Sequence, residues 1–386
     1  MTYGAPQHPQ PRYAPPAPVA PPAQVPVVPV PVRKGRSVSI WLFGILAVVL
    51  IGLVGYFVTF LGTAASVVGL VLALVPLGIV LFGVHLIDRW EPEPKGVMAF
   101  ALAWGAIAAV GLSLLVDLGL SFVIRGPLRE SFGSVVQAPV VEEFFKGLGV
   151  LLIFAVARRA FDGPIDGVVY GALVGAGFAF TENIQYFAVS MIEGDSASLT
   201  MTFVLRGLLS PFAHAMFTAV TGFAIGLAAR RGRAAGSVVG AAALGMLGAV
   251  LLHALWNGSA MFGDFFALYA TLQVPLFIGF IIAIILLRRE EERVTRTRLD
   301  DYARAGWFTP QEVTMLATRD GRKAALAWAA SLREDRRPIM RGFIKDATAL
   351  AAVRQRAIAG TDPLAAQDER ALLARTAAAR AALLAY

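Results

Sequence analysis

The chain of 386 residues contains no cysteine and few charged residues. The absence of cysteine excludes disulfides, thiolate nucleophiles and cysteine metal ligands. Charged residues make up 16% of the sequence and apolar residues 57%, whereas roughly a quarter of a soluble domain is charged. The composition therefore predicts a polytopic membrane protein whose chemistry rests on Glu, His, Asp, Asn, Ser or Lys. The net charge of +8 does not indicate nucleic-acid binding, because the arginines lie at the ends of apolar segments and in the C-terminal tail.

Apolar runs long enough to cross a ~30 Å hydrocarbon core recur up to Leu287. We therefore predict an all-α fold with about eight transmembrane helices. The predicted spans lie near 38–61, 66–87, 96–123, 135–157, 165–187, 200–228, 237–257 and 265–287. They form a transmembrane domain, 37–288, which follows a proline-rich tail, 1–36, expected to be disordered.

Beyond Arg289 the sequence alternates charged residues with alanine and has no run able to span a bilayer. Thr309, Pro310 and Glu312 have the order of an N-cap, a first helical proline and an acidic first turn. We therefore predict that 289–386 is a helical cytoplasmic extension. The extension is expected to be solvated, to lie against the membrane and to be unnecessary for chemistry.

Basic residues between the spans lie almost entirely on one side of the predicted membrane. That side holds Arg33, Lys34, Arg36, Arg89, Lys95, Arg158, Arg159, Arg230, Arg231, Arg233, Arg288 and Arg289. The opposite loops hold Arg125 and Arg129 together with the acids Glu130, Glu193, Asp195 and Asp264. The positive-inside rule then predicts that both termini are cytoplasmic. Because arginine strongly outnumbers lysine among abundant alanine and glycine, we expect a multi-pass protein of a bacterial plasma membrane.

Three ionisable residues lie within five positions of the fourth span. Glu142 and Lys146 are one helical turn apart and share a face, while Glu143 is rotated by about 100°. Ionisable groups at membrane depth are costly, and by default they indicate a functional site. A buried ion pair that only joins helices is the alternative, but it would not need a second adjacent carboxylate.

Other spans carry further polar groups. The fifth has Glu182 and Asn183, the sixth His214, and the seventh His253 and Asn257. With cytoplasmic termini, Glu142 lies about seven residues or ~10 Å below the outer surface at 1.5 Å per residue. Glu182 and His253 come at similar depths, with His214 somewhat deeper. Polar groups from four helices are thus expected to converge in the extracytoplasmic half of the membrane.

Glycines at four-residue spacing mark one face of the fifth span. Gly167, Gly171 and Gly175 form a seam of small residues, which lets two membrane helices approach closely. We interpret this seam as a packing feature of the fold.

Several short segments resemble the PrsW family of intramembrane proteases, which is distantly related to the CaaX prenyl proteases. They are EEFFK at 142–146, FAFTENIQY at 178–186, His214 and HALWN at 253–257. The turn 88–94 resembles the cytoplasmic EPEP loop of that family, and PIDGVVYG at 164–171 also fits. The resemblance covers 66–287, which makes the transmembrane domain PrsW-like. Its motifs are specific in combination and weak singly.

The resemblance implies hydrolysis of a peptide bond in a single-pass membrane protein, such as an anti-sigma factor, near the extracytoplasmic face. In that reading Glu142 is the general base that activates water, and Glu143 orients the water or shares its proton. His253 and Asn257 would stabilise the oxyanion, and His214 would position the water or protonate the leaving amine. Supporting groups that fix charge and side-chain conformation would be Lys146, Glu182 and Asn183.

Metal dependence stays open at the level of sequence. Glu143, His214 and His253 are candidates for the three protein ligands of a catalytic zinc, and the family carries the name metalloprotease. The sequence has no HExxH motif, and activation of water by a glutamate needs no metal. We therefore prefer a mechanism that requires no cofactor.

A proton-coupled transporter or channel is the alternative, because intramembrane acids and histidines also form proton relays. His85, Asp117 and Asp166 could extend such a path toward both faces. The sequence shows no internal repeat of the kind found in many transporters. A third possibility is a scaffold that binds membrane partners through the same residues without cleaving them.

Overall fold

A computed structural model describes residues 40–123, 131–232, 235–262, 264–332, 334–360 and 362–385. The proline-rich tail and the basic residues Arg33, Lys34, Arg36, Arg125, Arg129 and Arg233 lie outside the described residues. The described part consists of helices joined by short turns and contains no strand. The prediction of an all-α polytopic fold is therefore confirmed.

Eight long helices, α1 to α8, correspond to the eight predicted spans. They are α1 Ile40–Phe60, α2 Thr63–Ile87, α3 Lys95–Ser121, α4 Gly133–Gln137 with Ala138–Val156, α5 Pro164–Glu193, α6 Ser196–Arg230, α7 Ala235–Phe262 and α8 Phe265–Arg304. Among the described helices, seven are long and apolar enough to cross a membrane. The remaining span is the fourth, α4, which carries Glu142, Glu143 and Lys146 in its middle.

Wider π-helical turns interrupt four of these helices. They lie at Trp104–Ala109 in α3, Gly133–Gln137 in α4, Phe203–Leu209 in α6 and Tyr269–Gln273 in α8. Such turns often occur at functional sites, because they change the direction in which the following side chains point. The one in α6 carries Arg206.

Helix α5 is the central helix and is enclosed along almost its whole length. Its seam of glycines packs on α6: a Cβ added at Gly171 would lie 2.6 Å from the carbonyl oxygen of Thr218, and one at Gly175 would collide with that of His214. The glycines thus allow backbone contact between α5 and α6. This contact holds His214 of α6 beside Phe178 and Glu182 of α5.

Beyond α8, the C-terminal extension is a packed bundle of four helices. They are α9 Pro310–Leu316, α10 Arg319–Ser331, α11 Arg337–Ala359 and α12 Ala365–Leu384. The predicted cap forms at α9, where Thr309 and Glu312 exchange side-chain to backbone hydrogen bonds. The bundle and the end of α8 bury a shared apolar cluster, which includes Leu299 of α8, Leu350 and Leu372. The extension therefore has a folded core.

The bundle contacts the basic end of the transmembrane helices. The Arg322 guanidinium lies 3.4 Å from the ring centroid of Trp90, whose Nε1 donates to Thr295 Oγ1 at 3.2 Å. Arg159, in the turn after α4, pairs with Asp362 at 3.2 Å. The turn 88–94 thus lies between the membrane helices and the extension.

Candidate active site

Lys146 is the centre of a buried polar cluster in α4. Its Nζ lies 3.1 Å from Glu142 Oε2, 2.8 Å from Glu143 Oε1 and 3.1 Å from His214 Nδ1. An ammonium group has three N–H donors and no acceptor, so His214 Nδ1 must accept. The proton of a neutral His214 is therefore on Nε2, which lies 2.9 Å from Glu182 Oε2 and donates to it.

Glu143 is fully buried and joins three helices. Besides Lys146 on its own helix, its carboxylate accepts from Thr218 Oγ1 of α6 at 3.0 Å and contacts His253 Nδ1 of α7 at 3.1 Å. This contact places the His253 proton on Nδ1 and leaves Nε2 as an acceptor. That nitrogen lies 4.0 Å from Glu142 Oε2.

The two histidine rings are also fixed by packing. They lie edge to face with centroids 4.9 Å apart, and Phe217 stacks on His253 at 5.0 Å. Because both the rings and their nitrogens are constrained, the histidines are held in one orientation.

Arg206 also belongs to the cluster, although it was not predicted from the sequence. Its guanidinium pairs with Glu182, donates from Nε to Asn183 Oδ1 at 2.8 Å and lies 3.8 Å from the ring centroid of Tyr186. The signal was present, because a single arginine inside the apolar run 200–228 is as anomalous as the two glutamates. Arg206 fixes the carboxylate that in turn holds His214.

A cavity of about 710 Å³ adjoins the cluster on one side. Glu142, Glu182 and Asn257 line it, and the Asn257 amide also donates to the Ser134 carbonyl oxygen at 2.8 Å. His214, His253 and Glu143 are buried and do not line it. Glu142 and Glu182 thus both face the cavity and contact the buried cluster, but Glu182 is held by the guanidinium of Arg206.

The charges of the cluster do not cancel. Its three glutamates carry one negative charge each when ionised, and Lys146 and Arg206 carry two positive charges. A buried charge must be paired or neutralised. With both histidines neutral, the cluster can therefore take up one proton or bind an added cation.

The donor set also fits a divalent metal. Glu142, His214 and His253 each offer a ligand atom, and these atoms lie within 4.8 Å of one another. Glu143 and Glu182 contact the histidines as the outer carboxylates of zinc sites do. This triad contains Glu142 in place of the Glu143 predicted from the sequence. The Lys146 ammonium lies next to two of the ligands, and like-charge repulsion there opposes a second cation.

The other groups of the proposed proton path lie apart from this cluster. His85 is exposed on α2, and Asp166 accepts from Asp162 N and Gly163 N at the start of α5. Asp117 accepts from Gln137 at 2.9 Å at the far side of the cavity. In the part of the chain that the structure describes, they form no continuous series with the glutamates.

Comparison with known proteins identifies the same segment. A family model described as "PrsW family intramembrane metalloprotease" matches residues 93–284. The chain is 32% identical over 145 residues to Protease PrsW of Geobacillus kaustophilus (strain HTA426), covering 37% of this chain and 59% of that protein. It is 31% identical over 156 residues to Protease PrsW of Clostridioides difficile (strain 630), covering 40% and 63%.

A third relative is Protease PrsW of Bacillus subtilis (strain 168), 33% identical over 144 residues, with 37% of this chain and 61% of that protein covered. The chain thus spans about three fifths of the length of these curated relatives. No solved structure matches. The matched segment contains every polar group of the cluster, and through it the chain belongs to the PrsW family of intramembrane metalloproteases.

Proposed function

We propose that the chain is an intramembrane endopeptidase that hydrolyses a peptide bond of a single-pass, anti-sigma-factor-like membrane protein. The observation that carries the proposal is the position of Glu142, which lines the cavity and contacts the buried cluster through Lys146. A carboxylate at the edge of a polar cavity can take a proton from water, and fixed neighbours can hold its charge. The family match agrees with this activity.

In the proposed reaction, Glu142 takes a proton from a water molecule while the water oxygen attacks the peptide carbonyl carbon. His253 Nε2, 4.0 Å from Glu142 Oε2, accepts a hydrogen bond from the same water. Asn257 at the cavity wall stabilises the oxyanion through its amide N–H groups. The carbon–nitrogen bond then breaks, and Glu142 returns the proton to the leaving amine.

The remaining groups position these atoms. Glu143 holds His253, Lys146 holds both glutamates, and His214 is engaged on both ring nitrogens and therefore acts through Lys146. Arg206 and Asn183 fix Glu182, which holds His214. Burial and multiple contacts keep each side chain in one conformation, which limits reorganisation during the reaction.

A divalent metal would be held by Glu142, His214 and His253, and it would have to replace one of the two contacts that occupy the His214 ring nitrogens. When bound, it would polarise the water and the peptide carbonyl. The proton transfer proposed for Glu142 requires no metal, and Lys146 already supplies a positive charge beside it.

We propose that cleavage occurs near the extracytoplasmic face of a bacterial plasma membrane, with both termini cytoplasmic. The support is the charge distribution along the helices. Arg89, Lys95, Arg158, Arg230 and Arg288 lie at one end. The opposite end, toward which the cavity extends, carries Glu193, Asp195 and Asp264.

The test is cleavage of a panel of single-pass membrane proteins by the purified protein in detergent or liposomes. Glu142→Gln should stop cleavage while the protein stays folded, because Lys146 keeps its pair with Glu143. Glu193→Gln, the same change at an exposed site, should cleave normally. Normal cleavage by Glu142→Gln would refute the proposal. Proton flux in liposomes that is lost in Glu142→Gln, without any cleavage by wild type, would support the transporter.

A further inference from the structure

Three helices each contribute one continuous stripe to the wall of the cavity. In α3 the stripe is Val110, Ser113, Leu114 and Asp117; in α4 it is Gly133, Ser134, Gln137, Ala138, Val141 and Glu142; in α5 it is Phe178, Glu182, Gln185, Tyr186 and Val189. The spacing of three and four residues within each stripe means that one face of each helix is used. The cavity is therefore a groove that runs along the helices.

The groove begins at Glu142 and extends away from it. From Phe178 to Val189 the α5 stripe rises about 16 Å at 1.5 Å per residue. An extended peptide rises about 3.3 Å per residue, so the groove accommodates roughly five residues. A helix lying in the groove would need a width of ~10 Å over its whole length.

The walls of the groove carry uncharged polar groups that lack partners. Ser113 Oγ is buried and has no hydrogen-bond partner among the residues that the structure describes. Serine in a helix usually bonds to a preceding backbone carbonyl, so an unpaired hydroxyl at this depth is costly. Gln185, which is half-buried in the same wall, makes no hydrogen bond within the described part of the chain. These groups point to a ligand that supplies both donors and acceptors.

The backbone of an unwound membrane segment is a ligand that supplies both donors and acceptors. When a membrane helix unwinds, its N–H and C=O groups lose their partners and need others in the absence of water. Amides and hydroxyls can pair with either kind of group, and they do so without regard to side-chain identity. A charged ligand would instead call for unpaired charged groups in the wall.

We propose that this groove binds about five residues of substrate in extended conformation, with Ser113 and Gln185 pairing their backbone. The proposal rests on the proposed peptidase function for the identity of the ligand. Gln137 and Asp117, which bridge α4 and α3 partway along the groove, close it on one side of the bound segment. Extension of the peptide also brings its carbonyl carbon to Glu142, since peptide bonds inside a helix are shielded.

Disulfide cross-linking tests the groove independently of cleavage. Because the chain has no native cysteine, Ser113→Cys and Gln185→Cys each introduce a unique thiol. The probe is a synthetic apolar peptide of about 24 residues with a central Gly-Pro helix break and one cysteine beside it. A second peptide has the same cysteine in an uninterrupted helix. Leu115→Cys, on the lipid-facing side of α3 with 65% of its surface exposed, is the matched control.

We expect both groove variants to cross-link to the interrupted peptide and to lose this cross-link with the uninterrupted one. Leu115→Cys should not distinguish the peptides. Equal yields from both peptides at Ser113→Cys and Gln185→Cys, or no cross-link at either, would overturn the proposal. Retained thermal unfolding in the cysteine variants shows that each has folded.

A kinetic measurement separates this proposal from the proposed function. With any substrate that wild type cleaves, Ser113→Ala should raise KM about 3- to 10-fold, the loss of one hydrogen bond, and leave kcat unchanged. Leu115→Ala should change neither. If wild type cleaves the substrate and Ser113→Ala has the same KM, the proposal for the groove is refuted, while the proposed peptidase function still stands.

Discussion

Replacement of Lys146 by methionine is the most informative perturbation of the buried cluster. Methionine keeps the length and apolar volume of the side chain and removes the charge. Lys146 has no exposed surface, and its ammonium contacts Glu142, Glu143 and His214. Its removal leaves two carboxylates without their shared cation.

The expected loss of stability is large. Removal of one partner from a buried ion pair costs about 3–5 kcal/mol, because the other charge stays buried and unpaired. Glu143 keeps its contacts with Thr218 and His253, which argues for the lower end of that range. Adding Glu143→Gln to Lys146→Met removes the carboxylate charge that was left unpaired. The double variant should therefore be about 1–3 kcal/mol more stable than the sum of the two single changes predicts.

Thermal or denaturant unfolding in one detergent measures all members of this cycle. Lys95→Met, at an exposed position at the start of α3, is the control and should change stability little. Purely additive effects, or a Lys146→Met variant as stable as Lys95→Met, would refute the assignment of Lys146 as the charge that holds the glutamates.

Three further predictions concern positioning, packing and metal. Arg206→Gln should lower kcat about 10- to 100-fold with little change in KM, and Arg206→Lys should recover part of it; equal kcat in Arg206→Gln and wild type would contradict its role through Glu182. Gly175→Ala should destabilise the protein by about 1–3 kcal/mol by pushing α6 away, whereas Gly78→Ala, with open space around it, should not. Treatment with a metal chelator should leave cleavage unchanged; a loss of cleavage that stoichiometric zinc restores would show that a metal is required.

Much of the fold could be predicted, because each membrane helix is recognisable from its own stretch of sequence. Length and hydropathy gave the spans, and the cap at Thr309 and Glu312 followed from four adjacent residues. The glycine seam on α5 indicated close packing but not its partner. That α6 packs there could not be read from the sequence, since contact between two apolar faces leaves no specific pattern.

The sequence predicted only those site residues whose burial in a membrane is energetically costly. Glu142, Glu143 and His253 stand out because ionisable groups are expensive in a membrane, and the structure brings them together with His214. Their hydrogen-bond partners could not be predicted, because a one-turn difference in depth or rotation changes every contact. The same holds for Trp90 and Arg322, whose contact spans more than half of the chain.

The rate of peptide-bond hydrolysis by Glu142→Gln tests the central claim most directly. General-base catalysis contributes about 10²- to 10⁴-fold, so kcat should fall by that factor while thermal unfolding and cross-linking in the groove are retained. Glutamine keeps the shape of the side chain and cannot accept the proton. A Glu142→Gln protein that hydrolyses substrate as fast as Glu193→Gln would contradict the account.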